Sequence, residues 1–221
     1  MSLHHGAVKS LAGAFRCETP YSSAVTIKRG MGRQALIEAT AKVLRDGREV
    51  QVSEVAAEAG VSHTLVYRHF PEGGREELIA EGYAHLFRGL ARDDTAELFD
   101  ILDRQGPDPE ALQEYAAKLL SPRRRDARSG RLLALSQALA SELVAERVEE
   151  ARQELVDEFA RRLRMYDSRW TEEEAHAAAL YLLAIPLGLT AIGGRDLGSA
   201  KRDEVARHMV STLIAMLASH D

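Results

Sequence analysis

Between Val52 and Leu78 the chain reads VSEVAAEAGVSHTLVYRHFPEGGREEL, and four of its side chains share a helical face. His63, Thr64, Tyr67 and Arg68 fall at i, i+1, i+4 and i+5, while Val66 and Phe70, at i and i+4, form the opposite face. The front offers hydroxyls, an imidazole and a guanidinium, and no carboxylate. That set suits hydrogen bonding to base edges and phosphates in a DNA major groove. Just upstream, Val55, Ala56 and Ala59 mark the buried side of a helix that begins near Ser53. Gly60 stands where a tight turn follows a helix end, Val61 plugs the angle, and Ser62 is placed to cap a second short helix ending at Phe70. This is the grammar of a helix-turn-helix.

Other chemistry is thinly represented. His176 lies near Glu172 and Glu173, and His208 near Glu204, spacings that arise easily on charged helices and lack a metal pattern such as HExxH. There is no nucleophile elbow, and Gly30 and Gly32 do not follow a strand as a phosphate-binding loop requires. His4 and His5 sit in the N-terminal tail. The single cysteine, Cys17, excludes an internal disulfide framework and a thiolate cluster, which fits a reducing, cytoplasmic setting. No catalytic residue, metal or cofactor is expected.

The elements that position the motif are helical. The 221 residues are rich in Ala, Leu, Glu and Arg, contain six prolines, and show no clustered alternating runs of Val, Ile and Thr. The net charge of −5 is unevenly spread. Residues 1–70 hold nine Lys/Arg and six Asp/Glu, residues 71–221 twenty and twenty-eight, so a mildly basic head precedes an acidic body. Residues 1–28 have no long apolar core and read as an extension without fixed structure. Residues 29–74 read as the helix-turn-helix unit, and 75–221 as a larger helical unit.

Helical spacing predicts a first helix over Arg33–Leu44, ended by Asp46-Gly47, and, after the PEGG break, a helix from about Arg75 to Ala91. Further helices are expected over Asp93–Leu102 and Glu110–Leu120. The basic run Ser121–Gly130 reads as a solvated loop or helix entry, with a second nucleic-acid contact as the lesser reading. Arg131–Met165 reads as one long helix. Thr171 with Glu174 forms a capping box, and the stretch from Ala177 to Ile192 is apolar all round. Its sixteen residues, interrupted by Pro186, fall short of the roughly twenty that a membrane span needs. A helix buried on both faces, kinked at Pro186, is expected instead, followed by an amphipathic helix over Lys201–Ala218. So much apolar surface in the last two helices calls for a partner, either the rest of the chain or a second copy in a four-helix bundle.

The residues Val55-Ala56, Ala59-Gly60-Val61-Ser62, Val66-Tyr67-Arg68-His69-Phe70 and Glu76-Glu77-Leu78 resemble the TetR family of transcriptional regulators, a likeness that covers residues 33–85. It implies an all-α protein in which a three-helix DNA-binding domain precedes a larger ligand-binding and dimerisation domain. It also implies a homodimer, joined through the last two helices, that holds a near-palindromic double-stranded operator and is released by a small effector. The apolar composition points to a hydrophobic effector. On this resemblance His63 and Thr64 are the base-reading candidates, Tyr67 and His69 contact phosphate, Ser62 both caps and binds phosphate, and Arg68 reaches a base edge or a phosphate. Two departures stand out. Gln51-Val52-Ser53 replaces the family's threonine at the entry of the second helix, so Ser53 takes the cap and phosphate role. PEGGR replaces a shorter link holding a lysine, so Arg75, or the amides of Gly73 and Gly74, takes that phosphate. Lys28, Arg29 and Arg33 read as a solvated tail first and a minor-groove arm second. Leu135, Leu139, Tyr181 and Ile185 are effector-pocket candidates, each with a plain core role as the alternative. The rival class is a helical small-molecule carrier or enzyme without DNA binding.

Overall fold

The computed structural model describes residues 31–193 and 198–218, and among them the regular structure is helical throughout. Lys28, Arg29, His4, His5 and Cys17 lie outside the described residues.

Helix α1 (Met31–Arg45) turns Leu36, Ile37, Thr40, Val43 and Leu44 inward. Gly47, at φ 69°, ends its turn. Short helices α2 (Val52–Glu58) and α3 (Thr64–His69) follow, then α4 (Arg75–Arg88). Leu36, Val43, Val50, Val55, Val66, Phe70 and Leu78 form the core of this head. Helix α4 belongs to two cores at once. Leu78 and Leu86 face the head, whereas Ala80, Ala84 and Phe87 face the body, where they meet Ala134, Val148 and Ala151. Gly82 lets α4 approach α1 closely, since a Cβ there would stand 2.8 Å from Thr40 Cγ2 and 3.0 Å from Leu44 Cδ1.

The body contains α5 (Ala91–Gln105), α6 (Pro109–Leu119), a 3-10 turn (Pro122–Arg124), α7 (Arg125–Ala138), α8 (Glu142–Tyr166), α9 (Glu172–Ile192) and α10 (Ser199–Ala218). Local chemistry sets most boundaries. Asp108 caps α6 by accepting from Ala111 N at 2.8 Å, with Pro109 in the first turn. Thr171 and Glu174 form the expected capping box, with bonds of 3.2 and 3.1 Å. Helix α8 packs on α4 and α9, and α10 packs mainly on α6.

Four expectations need correction. Helix α4 stops at Arg88 rather than Ala91, because Gly89 takes φ 44° and α5 starts afresh. The long helix expected over Arg131–Met165 is two, broken at 139–141, where Ser141 caps α8 through Val144 N. The apolar period runs on across the break, so periodicity alone does not reveal it. The basic run is mostly ordered helix, and Arg128 within it is buried. Its guanidinium donates to Leu119 O at 2.6 Å, Ser121 O at 3.2 Å and Thr190 Oγ1 at 2.7 Å, so the end of α6 and the side of α9 take it out of water. Finally, α9 is buried on one side only. Ala175, Ala178, Ala179, Leu182 and Pro186 are covered by neighbouring helices, while Leu180, Tyr181 and Ile192 stand exposed. Among the described residues α9 is the one helix long and apolar enough to cross a membrane by length and composition. The helix runs unbroken through Pro186.

Candidate nucleic-acid interface and internal cavity

The turn between α2 and α3 is built by Gly60. At φ 68° it lets Val61 N return to Ala56 O at 2.9 Å, closing the end of α2. Val61 packs against the head core and holds the angle. On α3, Val66 and Phe70 are fully buried, whereas Ser62, His63, Thr64 and Arg68 are exposed and Tyr67 is 56% exposed. The structure therefore brings His63, Thr64, Tyr67 and Arg68 to one open surface. Arg68 makes no ion pair among the described residues, so its guanidinium is available to an anion. Several neighbouring cations are engaged within the chain. Lys42 pairs with Glu58, and Arg48 with Glu54. Lys42 is held above the usual lysine range by its hydrogen bond to Glu58.

Other candidates sit differently from their expected places. Ser62 does not cap α3. The helix begins at Thr64 with His63 at the cap position, and Ser62 Oγ lies 2.9 Å from Thr64 Oγ1. Ser53 is exposed in the first turn of α2, two residues past the cap position, and Gln51 occupies the cap without a side-chain bond. His69 is half-buried, with its Nε2 over Gly32 of α1. Arg75 is a structural tie. Its Nε donates to Val50 O at 2.9 Å, and its terminal nitrogens reach Glu49 at 3.2 Å and Glu76 at 3.3 Å. The amides of Gly73 and Gly74 are also taken, by Glu77 Oε2 at 3.2 Å and Phe70 O at 2.9 Å. The longer PEGGR link thus folds its own donors inward. Arg33 is likewise committed, to Glu81 at 2.6 Å.

Gly74, a phosphate-contact candidate in the sequence, has a second role that the sequence reading missed. Gly74, at φ 52°, lies beneath the Tyr67 ring, and a Cβ there would stand 3.2 Å from Tyr67 Cε1. Its signal was the doubled glycine directly after the motif, whose second member needs a backbone that L residues seldom adopt.

In the body, α5, α6, α7, α8, α9 and α10 enclose a cavity of about 30 Å³. Leu98, Leu112, Phe159, Leu182 and Leu213 make its apolar wall. Asp94, Tyr115 and Arg131 make a polar end. Asp94 pairs with Arg124 at 3.0 Å, and Tyr115 Oη donates to Asp94 O at 3.0 Å. Burial raises the Asp94 carboxyl above the usual carboxylate range against the opposing pull of Arg124 and Arg131, and burial pushes Tyr115 far above the usual phenol range.

Leu135, Leu139, Tyr181 and Ile185 do not line this cavity. Leu139 is 92% exposed in the break between α7 and α8, and Tyr181 is 48% exposed. Tyr181 and Ile185 each stand one residue before a cavity-lining neighbour, Leu182 and Pro186, about 100° around α9. A helix apolar on every side carries no mark of which side faces the cavity.

A short head with its recognition helix outward, mounted through α4 on a larger helical body, defines the helix-turn-helix class. Residues 36–84 match the sequence profile of the bacterial regulatory proteins, tetR family. The HTH-type transcriptional regulator BetI of Brucella canis is 40% identical over 63 residues, 28% of this chain and 31% of that protein, so the match spans under a third of that relative's length. A putative TetR-family transcriptional regulator from Mesorhizobium loti shares the fold with a TM-score of 0.62 and 19% identity, covering 86% of this chain and 98% of that one. A putative transcriptional regulator from Pseudomonas aeruginosa does so with a TM-score of 0.58 and 21% identity, over 88% and 95%. Residues 36–84 thus carry the DNA-binding segment described for the bacterial regulatory proteins, tetR family, and the rest of the chain shares the fold of the solved regulators.

Proposed function

We propose that the chain is a cytoplasmic, homodimeric repressor that binds a near-palindromic operator and is released by a small, largely apolar effector. The observation that carries the reading is the division of α3, with Val66 and Phe70 at 0% exposure behind and His63, Thr64, Tyr67 and Arg68 open in front. A helix so anchored can enter a major groove without disturbing the core that holds it. His63 and Thr64 read bases. Tyr67 and the exposed Ser53 and Ser62 hold phosphates, and Arg68 takes a base edge or a phosphate. Residues 29–74 form the DNA-binding unit and 75–221 the effector-binding and dimerising unit.

The dimer forms through α9 and α10. Its support is the open apolar side of α9, where Leu180 and Tyr181 stand exposed among the described residues. Two recognition helices would then stand about 34–36 Å apart, one helical turn of DNA. An effector in the cavity acts by favouring a different spacing.

The test is binding of the purified chain to DNA from its own promoter region over a range of salt. Sequence-selective binding that falls steeply with salt supports the reading. If selection from genomic fragments retains no sequence, DNA binding is rejected in favour of a helical small-molecule carrier. Tyr181→Glu should yield monomers in sedimentation, and a variant that stays dimeric would move the interface elsewhere.

A further inference from the structure

The polar end of the body cavity holds an unbalanced arginine. Arg131 is only 7% exposed and lines the cavity. One terminal nitrogen reaches Arg88 O at 3.3 Å, and its Nε has no hydrogen-bond partner. No carboxylate pairs with it among the described residues. The one nearby acid that lines the cavity, Asp94, is engaged by Arg124 at 3.0 Å. One turn earlier on α7, Arg128 is equally buried and is satisfied by carbonyls and a hydroxyl, with no acid of its own. Asp94 is thus spent on Arg124, and Arg131 is left without a counter-charge at the cavity. Leaving a guanidinium desolvated with an idle donor is costly, and native structures seldom do so without a purpose.

We propose that the cavity takes a small monocarboxylate, with the acid head on Arg131 and an apolar body against Leu98, Leu112, Phe159 and Leu213. The planar guanidinium matches a carboxylate, and the unused Nε supplies a donor in that plane. With Asp94 paired to Arg124, a single negative charge balances Arg131, whereas a dianion would meet repulsion from Asp94. Apart from the Thr95 hydroxyl, the remaining wall is apolar. This inference rests on the regulator reading only for its consequence. At about 30 Å³ the cavity holds about two water molecules, so the acid's apolar body enters only an expanded arrangement of the surrounding helices. Such a ligand binds the expanded state selectively, which is the difference in affinity that a switch requires.

The experiment titrates the full chain by calorimetry at pH 7.5 with hexanoate, 1-hexanol and hexylammonium. Hexanoate should bind at least tenfold more tightly than either of the others. Arg131→Met, which keeps the volume and removes the charge, should erase the advantage of hexanoate over hexanol while leaving hexanol binding unchanged. Equal affinity of the wild-type chain for the acid and the alcohol, no binding of hexanoate, or an unaltered preference in Arg131→Met would each overturn the assignment. The wild-type comparison needs no variant to fold. Gel shift with the promoter fragment separates the two levels. DNA bound by a chain that ignores hexanoate sinks the carboxylate assignment alone, and a hexanoate-selective chain that binds no DNA sinks the regulator reading alone.

Discussion

Arg33 on α1 donates to Glu81 Oε1 on α4 at 2.6 Å, and the same guanidinium lies 5.1 Å from the centre of the Phe70 ring at the end of the recognition helix. Glu81 also faces Arg147 of α8, at 3.9 Å. A single carboxylate thereby ties the first helix to the body while its partner cation steadies the back of α3. Replacing Glu81 by Gln keeps the shape and removes the charge. Arg33 is 41% exposed in its side chain, which screens the pair, so the expected loss is about 1 kcal/mol. Urea unfolding should show it, together with weaker DNA binding. Unchanged stability would mean that Arg33 and Arg147 are held by packing alone.

Gly82 marks a close approach between α1 and α4. Alanine would favour the helix by about 1 kcal/mol, but overpacking typically costs about 1–3 kcal/mol. The neighbour that would have to yield is Thr40, which is fully buried with its hydroxyl bonded to Leu36 O at 2.8 Å. Overpacking should win, and Gly82→Ala should lower the melting temperature. A higher melting temperature would show that the two helices part freely.

Tyr67 and His63 should fail differently. Tyr67→Phe removes one hydroxyl from a proposed phosphate contact and should weaken binding to all sequences alike. His63→Ala should alter preference at one base pair, by about 1–3 kcal/mol between the best and second-best base. Gly74→Ala should resemble Tyr67→Phe, because it strains a backbone at φ 52° and pushes the ring above it. Binding-site selection with each variant gives the comparison, and identical profiles for Tyr67→Phe and His63→Ala would remove the division of roles.

His85, on the α4 strut, is held below its ordinary value of 6.5, chiefly by burial, with Arg88 and Arg45 adding to the effect and Glu38 opposing it. A folded-state value below the unfolded one means that unfolding takes up a proton in the window between them. Stability is then full above about pH 6.5 and falls as pH drops through that value towards the folded pKa. His176 has the opposite sign, being raised by the Glu172 carbonyl and by Asp157, so its contribution is present at low pH and fades as pH rises through its folded value. His85→Gln isolates the first effect. Its unfolding free energy should fall less between pH 7.5 and 5.5 than that of the wild-type chain, and parallel curves would contradict the assignment.

Much of the head was legible because its signals are local. The i, i+4 pair Val66 and Phe70, the glycine at 60 and the polar front of α3 act over a few residues, and the backbone obeys them directly. The failure of Ser62 to cap α3 and the internal bonds of Arg75 were not legible, for the opposite reason. Whether a serine caps depends on where the helix starts to within one residue, and whether an arginine is free depends on Val50 and Glu49, twenty-five and twenty-six positions away. The body shows the same contrast. Thr171 and Glu174 announce the start of α9, but nothing near Leu182 says that it, and not Tyr181, faces the cavity.

By itself, then, the sequence determined the helical class, the turn at Gly60 and the outward face of α3, since each follows from residue type and from spacing within one or two turns. Only the tertiary structure decided that α4 would serve two cores, that α9 would leave one apolar side open, and that Arg131 would end in a cavity beside an acid already paired with Arg124. Those outcomes depend on which distant helices come to cover a given face, and burial of that kind belongs to the packed assembly rather than to any segment of it.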